Sequence, residues 1–286
     1  MPYIQKLYDI CKASMTPDGP KSEEALQKVR AILDSLKPAH VGLDHVAQLA
    51  RAYQRSMNGA NGANANGANG ANANGANANG ANQTPDITYI HLHECDKFSM
   101  GIFCMSPGSV IPLHDHPRMT VLSKVLYGSL RVKAYDWVDL PASCDLSQGI
   151  LVVCRVTQSA TSVVVGSRLG APESAAARPA KLVRDCQMNA PCDTTILYPN
   201  RGGNLHCFQA ITPCALFDIL SPPYSLEEEE NGRNCSYYRR SLMTDLPVVA
   251  ELRRMNRSEI TWLEVTPAPS SLVIGKGEYK GPNIRR

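Results

Sequence analysis

The sequence predicts a mainly β protein, a sandwich or barrel of short strands preceded by helices. Three observations carry this. From Ile87 onward, short runs rich in Val, Ile, Leu, Tyr and Phe alternate with Gly, Pro, Asn and Asp, the texture of many strands joined by turns. Before residue 57, apolar residues instead recur at helical steps of three and four. Between the two regions lies a stretch with no apolar side chain larger than alanine.

Glu23 to Leu36 reads as the first helix. Leu26, Val29, Leu33 and Leu36 share one face, Ser22 is placed to cap the start and Pro38 to stop the end. A second helix starts at Asp44 and runs towards Gln54, with Val46, Leu49, Ala50 and Tyr53 on one side. Both are expected to cover a core. Asn58 to Asn82 is built only of Asn, Gly and Ala. Such a segment cannot offset its ordering entropy by burial, so a disordered linker is expected. Strand-like runs follow, among them Thr120–Leu126, Ser129–Asp136, Cys207–Ile211 and Ala215–Leu220, with Tyr127-Gly128 read as a hairpin turn. The stretch from about 140 to 177 fits poorly. Its centre could form an extra hairpin, but its flanks are small and loop-like, and a disordered excursion is expected. The expected organisation is an N-terminal helical segment at 1–57, a linker at 58–84 and a β domain at 85–286 interrupted near 140–177.

The chain has 286 residues, 43% of them hydrophobic, and a net charge of +3. That length supports one sizeable core. The small, dispersed charge gives no case for nucleic acid. The N-terminus carries no basic region followed by an apolar one, so no signal peptide is read there, and no apolar run is long enough for a membrane helix. The ten cysteines form no C-x-x-C pair. Thiols in a reducing compartment are expected, and with them residence in the nucleus and cytoplasm. No zipper or obvious apolar interface stands out, so a monomer is expected.

The chemistry concentrates on histidine. His114-Asp115-His116 follows a Gly/Pro-rich lead-in, and residues two apart on a strand project from one face. His206, in Gly202-Gly203-Asn204-Leu205-His206, is the third candidate. Three neutral imidazoles with open coordination positions suit a catalytic first-row metal, and also zinc. Asp115, between the pair, points away if the strand is regular, and Arg118 could reach the cleft rim. His91 and His93 lack the same lead-in and are read as strand histidines, while His40 and His45 fall in the helical region. Asp218 lies inside the apolar run Ala215–Leu220, where a carboxylate is costly unless paired.

Gly108, five residues, then His114-x-His116 resembles the first half of the cupin metal motif, with the later glycine at Gly128. The carboxylate ligand of that motif is missing, since Thr120 and Val121 occupy its positions. Gly203-x-x-His206 resembles the core of the second half. A cupin centre of three histidines resembles the thiol dioxygenases. Met1-Pro-Tyr, His91-Leu-His-Glu-Cys95, Ile111–Pro117, Met119–Lys124, Tyr135-Asp-Trp137, Arg178–Val183, Gly202–Phe208, Asp218–Tyr224 and Thr261–Glu264 resemble the plant cysteine oxidases. The likeness covers roughly residues 1–55, 85–139 and 178–286 and leaves out the Asn/Gly/Ala array and the insert.

The resemblance implies a cupin-type double-stranded β-helix with N-terminal helices. It implies Fe(II) on His114, His116 and His206, with O2 as co-substrate. The implied substrates are proteins with an N-terminal cysteine, group VII ethylene response factors among them, oxidised to the sulfinic acid and so marked for degradation as part of an oxygen sensor. Asp218 would hold the substrate's ammonium or serve as acid or base, against the alternative of orienting a neighbour. Tyr224 would bring its hydroxyl near the substrate, against the alternative of a packed loop aromatic. Cys235-x-Tyr237 resembles a Cys-x-Tyr pair of related thiol dioxygenases. Three other readings stay open: a dioxygenase of small thiols such as cysteamine or cysteine, a non-catalytic metal-binding cupin, and an isoform inactivated by the 140–177 insert, against which the slow growth of loop-closure entropy predicts that folding and activity are retained.

Overall fold

The computed structural model describes residues 1–63, 85–139, 177–225, 233–242 and 257–286. Helices α1 (Tyr3–Ser14), α2 (Glu23–Asp34) and α3 (Asp44–Ala63) form the N-terminal part, with a short hairpin of β1 (Met15–Thr16) and β2 (Gly19–Pro20) between the first two. α2 starts where its sequence signals it: the Ser22 hydroxyl accepts a hydrogen bond from the Ala25 amide at 3.1 Å and satisfies one of the free amides of the first turn. Leu26, Val29 and Leu33 are buried together as their spacing requires. The helix α1 was not read from the sequence. It buries Ile4, Leu7, Tyr8 and Cys11, a weaker stripe interrupted by Gln5.

Two expectations for α3 need correction. Val46, Leu49 and Tyr53 are 42%, 58% and 37% exposed, whereas Ala47 and Ala50, with Leu43, face the core. Small residues let the helix backbone approach the layer beneath, which outweighs the larger apolar side chains on the neighbouring face. The helix also runs past Gln54 to Ala63, so Asn58–Ala63, expected in the linker, are helical. Asn and Ala tolerate a helix once a preceding turn has nucleated it. The rest of the Asn/Gly/Ala array, and the insert expected as a disordered excursion, lie outside the described residues.

The remaining strands are β3 (Ile87–Glu94), β4 (Ser99–Met105), β5 (Val110–His114), β6 (Thr120–Tyr127), β7 (Ser129–Trp137), β8 (Arg178–Asn189), β9 (Thr195–Leu197), β10 (Leu205–Ala210), β11 (Cys214–Ser221), β12 (Tyr237–Arg240), β13 (Ile260–Thr266) and β14 (Ile274–Gly277). They form a closed ring, β10-β5-β12-β13-β8-β7, and a six-stranded sheet, β14-β3-β4-β11-β6-β9. This is a double-stranded β-helix of cupin type with helices at its N-terminus. Met105, Val125 and Leu216 of the sheet pack against Leu130, Val132 and Phe208 of the ring. On the other side of the sheet, Met100, Ile102, Leu122, Phe217 and Ile219 pack against α1, α2 and α3. The alternation of β11 therefore sends Phe217 to the helices and Leu216 and Asp218 to the space between the β-layers.

Tyr127-Gly128 is not a hairpin turn. β6 pairs with β11 and β9, whereas β7 pairs with β8 and β10, so the chain changes layers at Gly128. Its φ of 76° is the left-handed value glycine adopts without penalty. A Cβ there would collide with the Pro213 carbonyl oxygen.

Candidate metal centre

His114 is the last residue of β5, and His206 lies directly opposite it near the start of β10. His116 stands two residues beyond the strand, in the loop before β6. The expected strand alternation thus does not place the second imidazole; the loop does. The His116 amide donates to Asn204 Oδ1 at 3.0 Å, and Asn204 Nδ2 donates to the carbonyls of His116 at 2.9 Å and Tyr198 at 3.0 Å. One buried amide side chain therefore fastens the loop of His116 to the turn of His206. Asp136, at the end of β7, anchors that turn by accepting from the amides of Gly202, Gly203 and Asn204 at 2.8, 2.8 and 3.1 Å.

The three imidazoles converge with ring centroids 4.8–4.9 Å apart. One ligand atom of each lies within 4.8 Å of the others, and all three residues are buried. Each Nδ1 faces a backbone carbonyl: His114 that of Pro112 at 2.8 Å, His206 that of Gly203 at 3.2 Å and His116 that of Asn204 at 3.5 Å. A carbonyl only accepts, so the proton belongs on Nδ1 and the lone pair on Nε2. Burial, reinforced by the neighbouring imidazoles, pushes His116 and His206 well below the usual histidine range, and burial pushes His114 down as well. Three neutral imidazoles with oriented, outward lone pairs and no carboxylate fit a divalent first-row metal with coordination positions left over.

Around this centre the structure gathers several of the expected residues. The Tyr224 ring lies 5.4 Å from that of His116, and its hydroxyl donates to the Asp115 carbonyl at 2.8 Å. The Asp115 carboxylate turns to the other side, where it accepts from the Ser236 amide at 2.9 Å and the Tyr238 hydroxyl at 2.8 Å. Cys235 hydrogen-bonds both Tyr224 and Tyr237, and Tyr237 stands opposite His114 on β12 with its ring 6.3 Å away. Arg118 occupies the turn after the histidine pair with a left-handed φ of 59°.

Asp218 is 8% exposed, and its Oδ1 has no hydrogen-bond partner. Burial pushes its carboxyl up to about 7, opposed by a hydrogen bond from Ser123 on β6. Asp218 shares an open cavity of about 360 Å³ with Tyr89, Gly101 and Tyr224. Ser123 in turn lines a small cavity with His206, Gly203 and Arg184. The carboxyl is therefore flanked by two residues, Tyr224 and Ser123, that each border the imidazole cluster.

The other histidines stand apart. His93 is buried between Tyr8 and Phe98, both at 4.9 Å, and His40 stacks on Tyr3 at 4.5 Å. Asn204, Asp136, Ser123 and Tyr89 were not singled out from the sequence. Asn204 and Asp136 had a signal: an amide inside the Gly-Gly-x-x-His turn, and an acid between Tyr135 and Trp137 at the end of a strand whose other charges are basic. Among the described residues, no helix is long and apolar enough to cross a membrane.

A family model described as PCO_ADO matches residues 32–284. The chain is 35% identical to plant cysteine oxidase 2 of Arabidopsis thaliana over 292 residues, covering 99% of this chain and 83% of that protein. It is 38% identical to plant cysteine oxidase 1 of the same plant over 238 residues, 82% of this chain and 62% of that protein. It is 32% identical to human 2-aminoethanethiol dioxygenase over 205 residues, 70% of this chain and 69% of that protein.

Proposed function

This chain belongs to the PCO_ADO family, and from that premise we propose that it oxidises the N-terminal cysteine of target proteins. Both atoms of dioxygen go to the sulfur, so that R–SH and O2 become R–SO2H. The sulfur loses four electrons and the dioxygen gains them, so no other reductant is consumed. The product is a step on the oxidation ladder that ordinary thiols do not reverse. Fe(II), held by His114, His116 and His206, would supply the one-electron chemistry that organic side chains lack and would favour the thiolate of a bound cysteine.

The observation that carries this reading is the pairing of a buried, neutral three-imidazole cluster with a buried, unpartnered carboxylate linked to it through Ser123 and Tyr224. Neutral ligands leave a divalent site positive, which suits an anionic sulfur. Asp218 gives a place for a cationic amine, and an N-terminal cysteine offers both groups on adjacent carbons, three bonds apart. Tyr224, bonded to the backbone between the two histidines, fixes the wall of the site next to His116. The same chemistry extends to a wider role: oxidised N-termini marked for degradation, group VII ethylene response factors among the substrates, oxygen sensing in the nucleus and cytoplasm, and a monomeric enzyme. A small-thiol substrate is the second reading, supported by the name of the human relative. The open cavity at Asp218 favours a polypeptide, whose chain must leave the site.

The test is mass spectrometry of a Cys-initiated peptide incubated with the Fe(II)-loaded protein, aerobically and anaerobically, beside His206→Ala. A gain of two oxygen atoms, lost in both controls, is expected. Oxidation of cysteamine but not of the peptide would move the assignment to the small thiol. Iron bound without oxidation of either would leave the non-catalytic cupin.

A further inference from the structure

The neighbourhood of Asp218 contains a group that the reading above does not use. Asp218 on β11 lies directly opposite Gly101 on β4. A Cβ at Gly101 would collide with the hydroxyl end of the Tyr89 ring. The phenol of Tyr89, from β3, therefore lies over bare backbone and reaches towards Asp218. Facing residues of an antiparallel pair stand about 5 Å apart, which brings the phenol beside the carboxyl. The electrostatics agree, because the Tyr89 phenol is pushed up to about 12, first by burial and then by the charge of Asp218. It is therefore a neutral hydroxyl at physiological pH. Both groups line the same open cavity, which Tyr224, Glu94 and Lys276 also line. Neither of those charges occupies Asp218 Oδ1, which has no partner.

A buried carboxylate oxygen without a donor is costly. Beside a neutral phenol oxygen it makes a receptor for a group carrying several N–H donors and a positive charge. We propose that Tyr89 is the second half of the subsite for the substrate's α-ammonium: Asp218 Oδ1 accepts one N–H, and the Tyr89 hydroxyl oxygen, seated over Gly101, accepts another. Tyr89 thereby selects substrates with a free N-terminal amine over thiols that lack one. Gly101 is part of the same device, since any larger residue displaces the ring. This inference rests on the N-terminal cysteine reading and names the group that enforces it.

The test uses the full-length, Fe(II)-loaded protein with two peptides of identical sequence beyond the first residue. One begins with cysteine and the other with a 3-mercaptopropionyl group, which keeps the thiol and removes the amine. The second is read as a substrate or as a competitor of the first. Tyr89→Phe is expected to raise KM for the cysteine peptide about tenfold, the effect of losing one hydrogen bond to a charged group. It should leave kcat within a few-fold and the mercaptopropionyl peptide unaffected. Tyr89→Leu should do the same or more. Both peptides are read on one preparation, so any loss of folded enzyme cancels in the ratio. Equal losses for the two peptides, or no loss for either, overturn the subsite alone. Wild-type protein that binds iron but leaves the cysteine peptide unoxidised overturns the parent reading and the subsite with it.

Discussion

Asp218 and Asn204 show how single residues are committed to the site, the first at the expense of the fold and the second in its support. Burial pushes the Asp218 carboxyl up to about 7 in the folded protein, from the ordinary 3.8 that the unfolded chain restores. Between those values the folded protein binds a proton that the unfolded chain has released, so stability falls as pH rises from about 4 to about 7 and then levels off. A rise of that size is a penalty of a few kcal/mol, to order of magnitude. Asp218→Asn is therefore expected to resist denaturant better than wild type at pH 8 and about equally below pH 4. Its kcat/KM should fall sharply and lose the acid limb near pH 7, because only the ionised carboxyl holds an ammonium. A variant no more stable at pH 8 would place the carboxyl in water. Asn204→Ala cuts the tie between the His116 loop and the His206 turn. Metal affinity, read by competition with a chelator, is expected to drop 10- to 100-fold, the usual effect of losing a group that orients a ligand. Unchanged affinity would mean the loop holds its shape alone. His114, His116, His206 and Asp218 were legible because each is a polar residue in apolar or turn-rich surroundings. Tyr89 was not, because a tyrosine in a strand is an ordinary core residue until its ring is seen lying over Gly101.

At the scale of elements, the period of the apolar pattern located α2 and most strands, while partners and layers stayed hidden. Gly128 is the clearest case. A glycine between two strand-like runs signals a turn, but nothing local distinguishes a hairpin from a change of layer. The distinction depends on the start of β11, where Cys214 and the preceding Pro213 sit against Gly128. Gly128→Ala is expected to lower stability, read by urea unfolding, by about 2–4 kcal/mol, more than an ordinary surface substitution, since it adds both left-handed strain and a backbone collision. A loss below about 1 kcal/mol would show that the corner can shift. Phe217 makes the opposite test. It is fully buried beneath the helices, so Phe217→Ala should cost about 3–5 kcal/mol without changing the ratio of activities towards the two peptides above.

The whole molecule explains how an insert between the two halves of the site is accommodated. β7 and β8 flank it and pair directly with each other, Trp137 standing opposite Ala180 and the Val138 amide donating to the Pro179 carbonyl at 3.0 Å. The segment 140–176 thus joins the ends of an antiparallel pair that is already closed. Loop-closure entropy grows slowly with length, so the insert adds little cost. Replacing 140–176 by a short turn is expected to keep bound metal and activity within a few-fold and to change stability by about 1 kcal/mol. A large gain of activity would show that the insert obstructs the site.

The sequence by itself determined the fold class, the helical start, the three histidines and the missing carboxylate ligand. The mainly β class, the helices and the histidines are matters of residue type and short-range period, which local chemistry sets, and the missing carboxylate ligand followed from the resemblance to the cupin motif. Tertiary structure alone decided the rest. It turned α3 so that alanines, not the larger side chains, meet the core. It made Gly128 a corner between layers. It brought His206 opposite His114 across 92 residues of chain, and it set Tyr89 beside Asp218. The physical reason is common to all four: each depends on which segments lie against one another, and that is settled by burial and backbone pairing summed over the whole chain.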